Sequence, residues 1–181
     1  MLGGMSLFAL SAIGRDRPGI VAAISRALLE VEGNIEDSQM SILRGHFAVM
    51  LIVRVPTEVS LVELRDRLGE VREELGLEAI ALSPVDELAG TAPRPSHILT
   101  VYGADHPGIV HAVSSALAKR GVSITGLETR LSARRDSPIY VMQMEIAVGA
   151  KDPEEPDSAL REIGARDGLD VSLRELEVDA L

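Results

Sequence analysis

The chain has 181 residues, of which 46% are hydrophobic and 25% are charged, and its formal net charge is −10. This composition is typical of a soluble globular protein of one or two domains. The negative charge opposes broad contact with nucleic-acid phosphates or an anionic lipid surface, so we expect no direct nucleic-acid partner and no membrane partner. The sequence contains no cysteine, which excludes disulfides and thiolate metal sites and fits a cytoplasmic location.

The first element along the chain is an apolar run, Ser6–Ile13, that is followed by a motif that occurs twice. We interpret this run as a β-strand, because residues 1–14 lack the basic leading segment of a signal peptide. The segment GRDRPGIV at Gly14–Val21 then opens an amphipathic helical pattern, and it recurs as GADHPGIV at Gly103–Val110, 89 residues later. A self-match at a fixed spacing indicates one structural unit used twice.

Both copies predict a helix with a proline in its first turn, where the missing N–H is tolerated, and a glycine at its end. These residues are Pro18 and Gly33 in the first copy, and Pro107 and Gly121 in the second. A third strand, Phe47–Val55, matches Tyr140–Val148 at a spacing of 93 residues. The second copy therefore carries about four extra residues in its hairpin, around Ala133–Ser137. The remaining predicted elements are helices at Leu61–Leu75 and about Asp157–Ala165, and strands at about Glu78–Leu82 and Leu169–Val178.

The element order in each half is β-α-β-β-α-β, which predicts an α+β fold with two ferredoxin-like domains in tandem. We place the domains at residues 1–86 and 97–181, joined by a linker at residues 87–96 that is rich in proline and small residues. Because the third strand is apolar on both faces, we expect the sheet face without helices to be covered, either by the other half or by another subunit. This predicts a homo-oligomer, and edge-to-edge joining of the sheets is the alternative.

The repeated turn between strand and helix has the chemistry of a zwitterion site. The free N–H groups at a helix start attract a carboxylate, and Asp16 or Asp105 could hold an ammonium group beside it. Gly19 and Gly108 leave room for a ligand to approach the backbone. In the alternative interpretation each aspartate is only a helix cap, and the Pro-Gly pair only shapes the turn.

The pattern G-x-D-x-P-G-I-V, followed by an apolar helix and by G-N-I at the start of a strand, resembles the ACT domain, a small regulatory module that binds amino acids. A tandem pair without a catalytic domain is similar to the glycine cleavage system transcriptional repressor family. The resemblance implies a ligand at an interface between modules, contacted by the strand-helix loop and the start of the second strand. The implied ligand-binding residues are Asp16, Arg17, Pro18, Gly19, Asn34 and Ile35 in the first copy, and Asp105, His106, Pro107, Gly108, Ser123 and Ile124 in the second.

The second copy departs from the pattern, because it reads GVSI where the first reads GNI, and Ser123 stands in place of Asn34. A site that depends on the asparagine amide is therefore expected in the first copy rather than in the second.

The resemblance implies a non-enzymatic regulatory protein that binds a small amino acid, such as glycine, and modulates a target protein, with transcriptional control as the expected setting. The sequence contains no phosphate loop or dinucleotide fingerprint, and His106 and His111 are five residues apart rather than at the spacing of a metal pair. We therefore expect no catalytic residue, no metal and no cofactor. Two alternatives remain: a scaffold with vestigial ligand loops, and an enzyme of unknown chemistry with a site between the halves.

Overall fold

The computed structural model describes residues 4–85, 93–132, 138–149 and 154–176. The chain divides into two compact units, Met1–Gly90 and Thr91–Leu181. Each unit, described by itself, is a four-stranded antiparallel sheet with two helices in the order βαββαβ. The predicted α+β class with two tandem units is confirmed. The domain limits 1–86 and 97–181 remain predictions, since residues 87–92 of the expected linker lie outside the described residues.

In the first unit, the sheet order is β2-β3-β1-β4, so the first and third strands are central, as the ferredoxin-like order requires. Helix α2 begins with a side-chain cap, because Ser60 Oγ accepts a hydrogen bond from the Glu63 N–H at 3.1 Å. The elements are β1 Met5–Arg15, α1 Ile20–Leu29, β2 Asn34–Leu43, β3 His46–Pro56, α2 Leu61–Leu75 and β4 Ala79–Pro84.

The second unit repeats this arrangement with the sheet order β6-β7-β5-β8. Its predicted last helix is longer than expected, and its last strand ends at Glu175, while residues 177 and 178 lie outside the described residues. The expected extra hairpin residues, 133–137, also lie outside them. The elements are β5 His97–Ala104, α3 Ile109–Lys119, β6 Ser123–Leu131, β7 Ile139–Ala147, α4 Glu154–Asp167 and β8 Asp170–Glu175.

Each core lies between one face of a sheet and its two helices. In β1 the side chains of Phe8, Leu10 and Ala12 are buried, whereas the residues between them are more accessible, which is the alternation of a strand with one packed face. Burying one such aliphatic side chain stabilises the fold by about 1.5–3 kcal/mol. The second core repeats the alternation in β7, where Met142, Met144 and Ile146 are fully buried.

Two predictions about the helix ends are wrong. Helix α1 begins at Ile20 with Gly19 as its N-cap, so Pro18 lies before the helix and not in its first turn; Pro107 likewise lies before Gly108, the N-cap of α3. After α1 the positive φ angle belongs to Glu32, not to Gly33. Gly33 is instead closely packed, since a Cβ there would lie 3.0 Å from the carbonyl oxygen of Leu28. Gly121 has φ +68°, as expected for a helix end.

Candidate functional site

The two strand-helix loops have nearly identical backbones. Gly19 has φ 99° and ψ −10°, and Gly108 has φ 101° and ψ −9°. The N-cap residue of each helix is a glycine, so neither helix start has a side-chain cap bond, and neither has an acidic residue in its first turn. The aspartates that precede these loops are therefore not helix caps, which removes the simplest structural role proposed for them.

The first turns of α1 and α3 are open to a ligand. The first helical hydrogen bonds run from the Ala23 N–H to the Gly19 oxygen and from the Ala112 N–H to the Gly108 oxygen, both at 2.9 Å. The N–H groups before them have no partner within the helix, and the positive end of the helix dipole lies there. A Cβ at either glycine would meet nothing within 4 Å, so the space beside the backbone is free of protein atoms.

Backbone contacts hold the first loop in place. The Asp16 N–H donates to the Gly45 oxygen at 2.9 Å, which joins the loop to the tight β2–β3 hairpin, where Arg44 and Gly45 both have positive φ. Gly14 lies against the connection between α2 and β4, because a Cβ there would be 2.9 Å from Leu77 Cδ2. The loop is therefore fixed by its neighbours, while the Asp16 side chain stays exposed.

Position 17 is an arginine, whereas the equivalent position 106 is a histidine. The Arg17 Nη2 lies 3.1 Å from where a Cβ of Gly76 would stand, at the C-terminal end of α2. His106 Nδ1 lies 3.1 Å from the Pro107 oxygen. The Arg166 guanidinium, and more weakly the charge of His106, hold the pKa of Asp167 below its ordinary value. One loop thus carries a permanent cation and the other a histidine.

The structure does not bring the loop and Asn34 together within one unit. Asn34 pairs with Arg54 on β3, and Arg54 pairs with Leu7 on β1, eight residues before Arg15 at the loop end of that strand. At about 3.3 Å per residue, Asn34 and the loop lie about 26 Å apart along the sheet. Ser123 has the same position in the second unit, since it pairs with Ala147 at the far end of β7.

Asn34 lies instead beside an open groove of about 480 Å³ between α1 and the start of β2. The groove is lined by Ser25, Arg26, Leu29, Gly33, Asn34 and Ile35, among others. Sequence reasoning missed Arg26 and Leu29 at this place. The sequence signal was an apolar residue, Leu29, next to the apolar face of α1. In the structure its side chain is 72% exposed.

An ion pair lies next to Asn34. Arg54 donates hydrogen bonds from Nε and Nη2 to the two carboxylate oxygens of Glu36, the second at 3.2 Å. This hydrogen bonding is the main reason that the pKa of Glu36 is lowered. The equivalent residues in the second unit are Thr125 and Ala147, so the pair belongs to the first unit alone.

Among the described residues, no group of three or more histidine and carboxylate side chains could hold a metal ion. The described helices also include none with the length and apolar character needed to cross a membrane.

Family comparisons agree with the fold. Models of the ACT domain match residues 6–81 and residues 97–165. The chain therefore belongs to the ACT-domain family and contains two ACT domains in tandem.

Particular relatives match one domain or both. The UPF0237 protein MK1213 of Methanopyrus kandleri is 43% identical over 77 residues, which are 42% of this chain and 86% of that protein. The glycine cleavage system transcriptional repressor of Escherichia coli is 26% identical over 157 residues, which cover 83% of this chain and 77% of the repressor. The crystal structure of an unknown protein from Galdieria sulphuraria is 28% identical, with a TM-score of 0.82 and coverage of 96% of this chain and 99% of that one.

Proposed function

We propose that this chain is a cytoplasmic, non-enzymatic regulatory protein that binds a small amino acid at its strand-helix loops and changes the activity of a target protein. The observation that carries the proposal is the pair of matched, uncapped helix starts at Gly19 and Gly108, each with an aspartate three residues earlier. Such a helix start suits a carboxylate, and a neighbouring aspartate suits an ammonium group. A free amino acid carries both charges on adjacent atoms.

The proposed ligand lies between ACT modules rather than within one. The loop and Asn34 lie at opposite ends of the same sheet, so one small molecule reaches both only if they come from different modules. A homo-oligomer, or another pairing of modules, is therefore part of the proposal. In the first module the ligand residues are Asp16, Arg17, Pro18, Gly19, Asn34 and Ile35, and the second module contributes the equivalent residues from Asp105 to Gly108 with Ser123 and Ile124.

Glycine is the first amino acid to test, because a relative that matches over both domains is a glycine cleavage system transcriptional repressor. Glycine has about five heavy atoms, which limits its binding free energy to about −7.5 kcal/mol and its dissociation constant to about micromolar at best. Regulation of transcription would act through another protein, since the chain has a net charge of −10 and lacks a basic recognition helix.

Calorimetric titration with a panel of amino acids tests the proposal directly. We expect binding of one small amino acid in the range of about ten micromolar to millimolar. Asp16→Ala should weaken that binding about tenfold to hundredfold, since a hydrogen bond to a charged group is worth about 1.5–3 kcal/mol. No heat with any of the common amino acids would instead favour the scaffold with vestigial loops.

A further inference from the structure

The arginines of the first unit fall into two groups. One group forms ion pairs with glutamates of the same unit, and its members are Arg26, Arg54, Arg67 and Arg72. The other group forms no ion pair within the described part of the chain, and its members are Arg15, Arg17, Arg44 and Arg65. Only this second group leaves its positive charge available to a partner.

Backbone pairing brings two of these unpaired arginines to one end of the sheet. The Asp16 N–H donates to the Gly45 oxygen at 2.9 Å, and the residues just before these two are Arg15 and Arg44. Arg15 also pairs with His46 in the register of β1 and β3. All of these side chains are exposed.

Arg17 extends the cluster to the other side of the strand-helix loop, because its Nη2 lies beside Gly76 at the C-terminal end of α2. We call the whole cluster the basic end, and its members are Arg15, Arg17, Arg44 and His46. The basic end thus runs from the β2–β3 hairpin across the end of β1 to the connection that leads into β4.

Few free carboxylates lie in the basic end. Asp16 is exposed beside the arginines, and Glu78 Oε1 lies 3.9 Å from His46 Nδ1. The glutamates of the last turn of α2 change little, since each pairs with an arginine of its own. Three permanent cations therefore outnumber two carboxylates here, although the chain as a whole has a net charge of −10.

The second unit carries less positive charge at the same places. The described equivalents of Arg15, Arg17 and His46 are Ala104, His106 and Ile139. The counterpart of Arg44 falls in the hairpin that lies outside the described residues. Because the same fold forms without arginine at these positions, the arginines of the basic end are not a requirement of the fold.

We propose that the basic end docks an extended acidic segment of the target protein. This inference rests on the proposed function only in that the chain acts on another protein. Arginine suits such a segment, because its guanidinium donates two parallel hydrogen bonds to a carboxylate. A local excess of cations on an acidic chain also directs a negatively charged partner to this one surface.

The width of the basic end favours a chain segment over a small anion. The β2–β3 hairpin and the start of β4 are two to three strand spacings apart, or about 12 Å. A small anion cannot contact cations spread over this width. An extended chain rises about 3.3 Å per residue, so about four acidic residues span it.

Fluorescence anisotropy of a labelled octaglutamate peptide, titrated with the full chain and without any amino acid, tests the proposal. At about 0.1 M salt, charges more than about 10 Å away are largely screened, so the peptide responds mainly to the basic end. The wild-type chain should bind the peptide. Arg15→Gln and Arg44→Gln should each weaken binding about twofold to fivefold, and the double variant at least about fivefold, as expected for exposed ion pairs.

Arg65→Gln is the matched control. It removes the same charge from an exposed arginine that also forms no described ion pair, but it lies about 16 Å along α2 from Gly76. Its affinity for the peptide should equal that of the wild type, and circular dichroism should show that every variant keeps its fold. Arg15 and Arg44 are not among the residues proposed to hold the amino acid, so their variants should bind the amino acid normally.

The outcomes separate this inference from the proposed ligand. Binding of an amino acid but not of octaglutamate up to about 1 mM overturns the docking surface and leaves the proposed ligand intact. Binding of octaglutamate with the expected losses, but of no amino acid, supports the docking surface and contradicts the ligand. An equal loss in Arg65→Gln, or tighter binding of a single-stranded oligonucleotide of equal charge, also overturns the docking surface.

Discussion

The two ACT domains share a backbone but differ in the side chains placed on it. The dihedral angles of Gly19 and Gly108 agree within a few degrees, and the two sheets have the same strand order and the same bulge near the start of the second strand. Around this common frame the first domain has Asn34, Arg17 and the uncharged central-strand pairs Ser11–Met50 and Ala9–Ile52, and the second has Ser123, His106 and the more polar pairs Thr100–Gln143 and Ile98–Glu145.

This comparison shows that the two halves share the residues that determine the fold and differ at other positions. Positions with buried side chains stayed apolar in both halves, as Leu10 and Leu99 illustrate. The positive φ angle of the N-cap glycine stayed because other residues adopt it only with strain. Side chains at the proposed ligand positions differ, as Asn34 and Ser123 illustrate.

The largest expected effect tests whether the domains unfold independently. Leu10→Ala and Leu99→Ala each remove a fully buried side chain and should lower the free energy of unfolding of their own domain by about 2–5 kcal/mol. Both tyrosines of the chain, Tyr102 and Tyr140, lie in the second domain, and the chain has no tryptophan. Tyrosine fluorescence therefore reports only the second domain during denaturant unfolding, whereas circular dichroism reports both.

Leu10→Ala should shift part of the circular dichroism transition and leave the fluorescence transition in place. Leu99→Ala should shift the fluorescence transition together with the other part of the circular dichroism transition. A fluorescence shift of equal size in both variants would show instead that the two domains unfold as one cooperative unit.

The second prediction concerns the loss of stability when either loop glycine is replaced by alanine. Gly19→Ala and Gly108→Ala should each destabilise the protein by about 1–2 kcal/mol, because a side chain at φ near +100° is strained even where the space around it is empty. The control is Gly69→Ala, which lies inside α2 with nothing within 4 Å of the new Cβ and should stabilise by about 0.5–1 kcal/mol. Unequal losses at the two loops in thermal melts would contradict their structural equivalence.

A reciprocal exchange tests the difference between the ligand sites. Asn34→Ser should weaken binding of the amino acid found by calorimetry by about 1 kcal/mol, or about fivefold, since the amide is lost. Ser123→Asn should strengthen binding at the second domain or add a second class of sites. If neither exchange changes the affinity or the stoichiometry, position 34 does not distinguish the domains.

The smallest effect is in the pH dependence of stability. The pKa of Glu36 is lowered by its hydrogen bond with Arg54, so this pair stabilises the first domain above the ordinary carboxylate pKa, and its contribution is lost as the pH falls through the lowered value. The pKa of Tyr102 is raised by its hydrogen bond to Asp170, so that pair stabilises the second domain below about pH 10 and is lost as the pH rises through the raised value.

Both pairs are exposed, and we expect only small shifts of the melting temperature. Glu36→Gln should flatten the acid side of the profile of melting temperature against pH, and Tyr102→Phe should flatten its alkaline side. An unchanged acid limb in Glu36→Gln would mean that the ion pair with Arg54 does not contribute in solution.

Particular elements show how far sequence reasoning reached. Helix α2 spans Leu61–Leu75 and the second strand of each half begins at Asn34 or Ser123, as predicted, because hydrophobic period and turn residues are local signals. The position of Pro18 was predicted incorrectly. The helix begins only after Gly19, whose left-handed backbone conformation cannot be read from the sequence. The groove beside Asn34 was missed because it forms between α1 and β2, whose spacing is a tertiary property.

The sequence by itself determined the duplicated ACT fold, since the period of its apolar residues and the repeated glycines dictate the same elements twice. It also led to the hypothesis, still a prediction, that the two strand-helix loops hold a zwitterion. Only the tertiary structure decided that Asp16 is not a helix cap and that Asn34 lies about 26 Å from it along the sheet. Strand register places residues at one end of a sheet or the other, and register depends on pairing between segments that are distant in the chain.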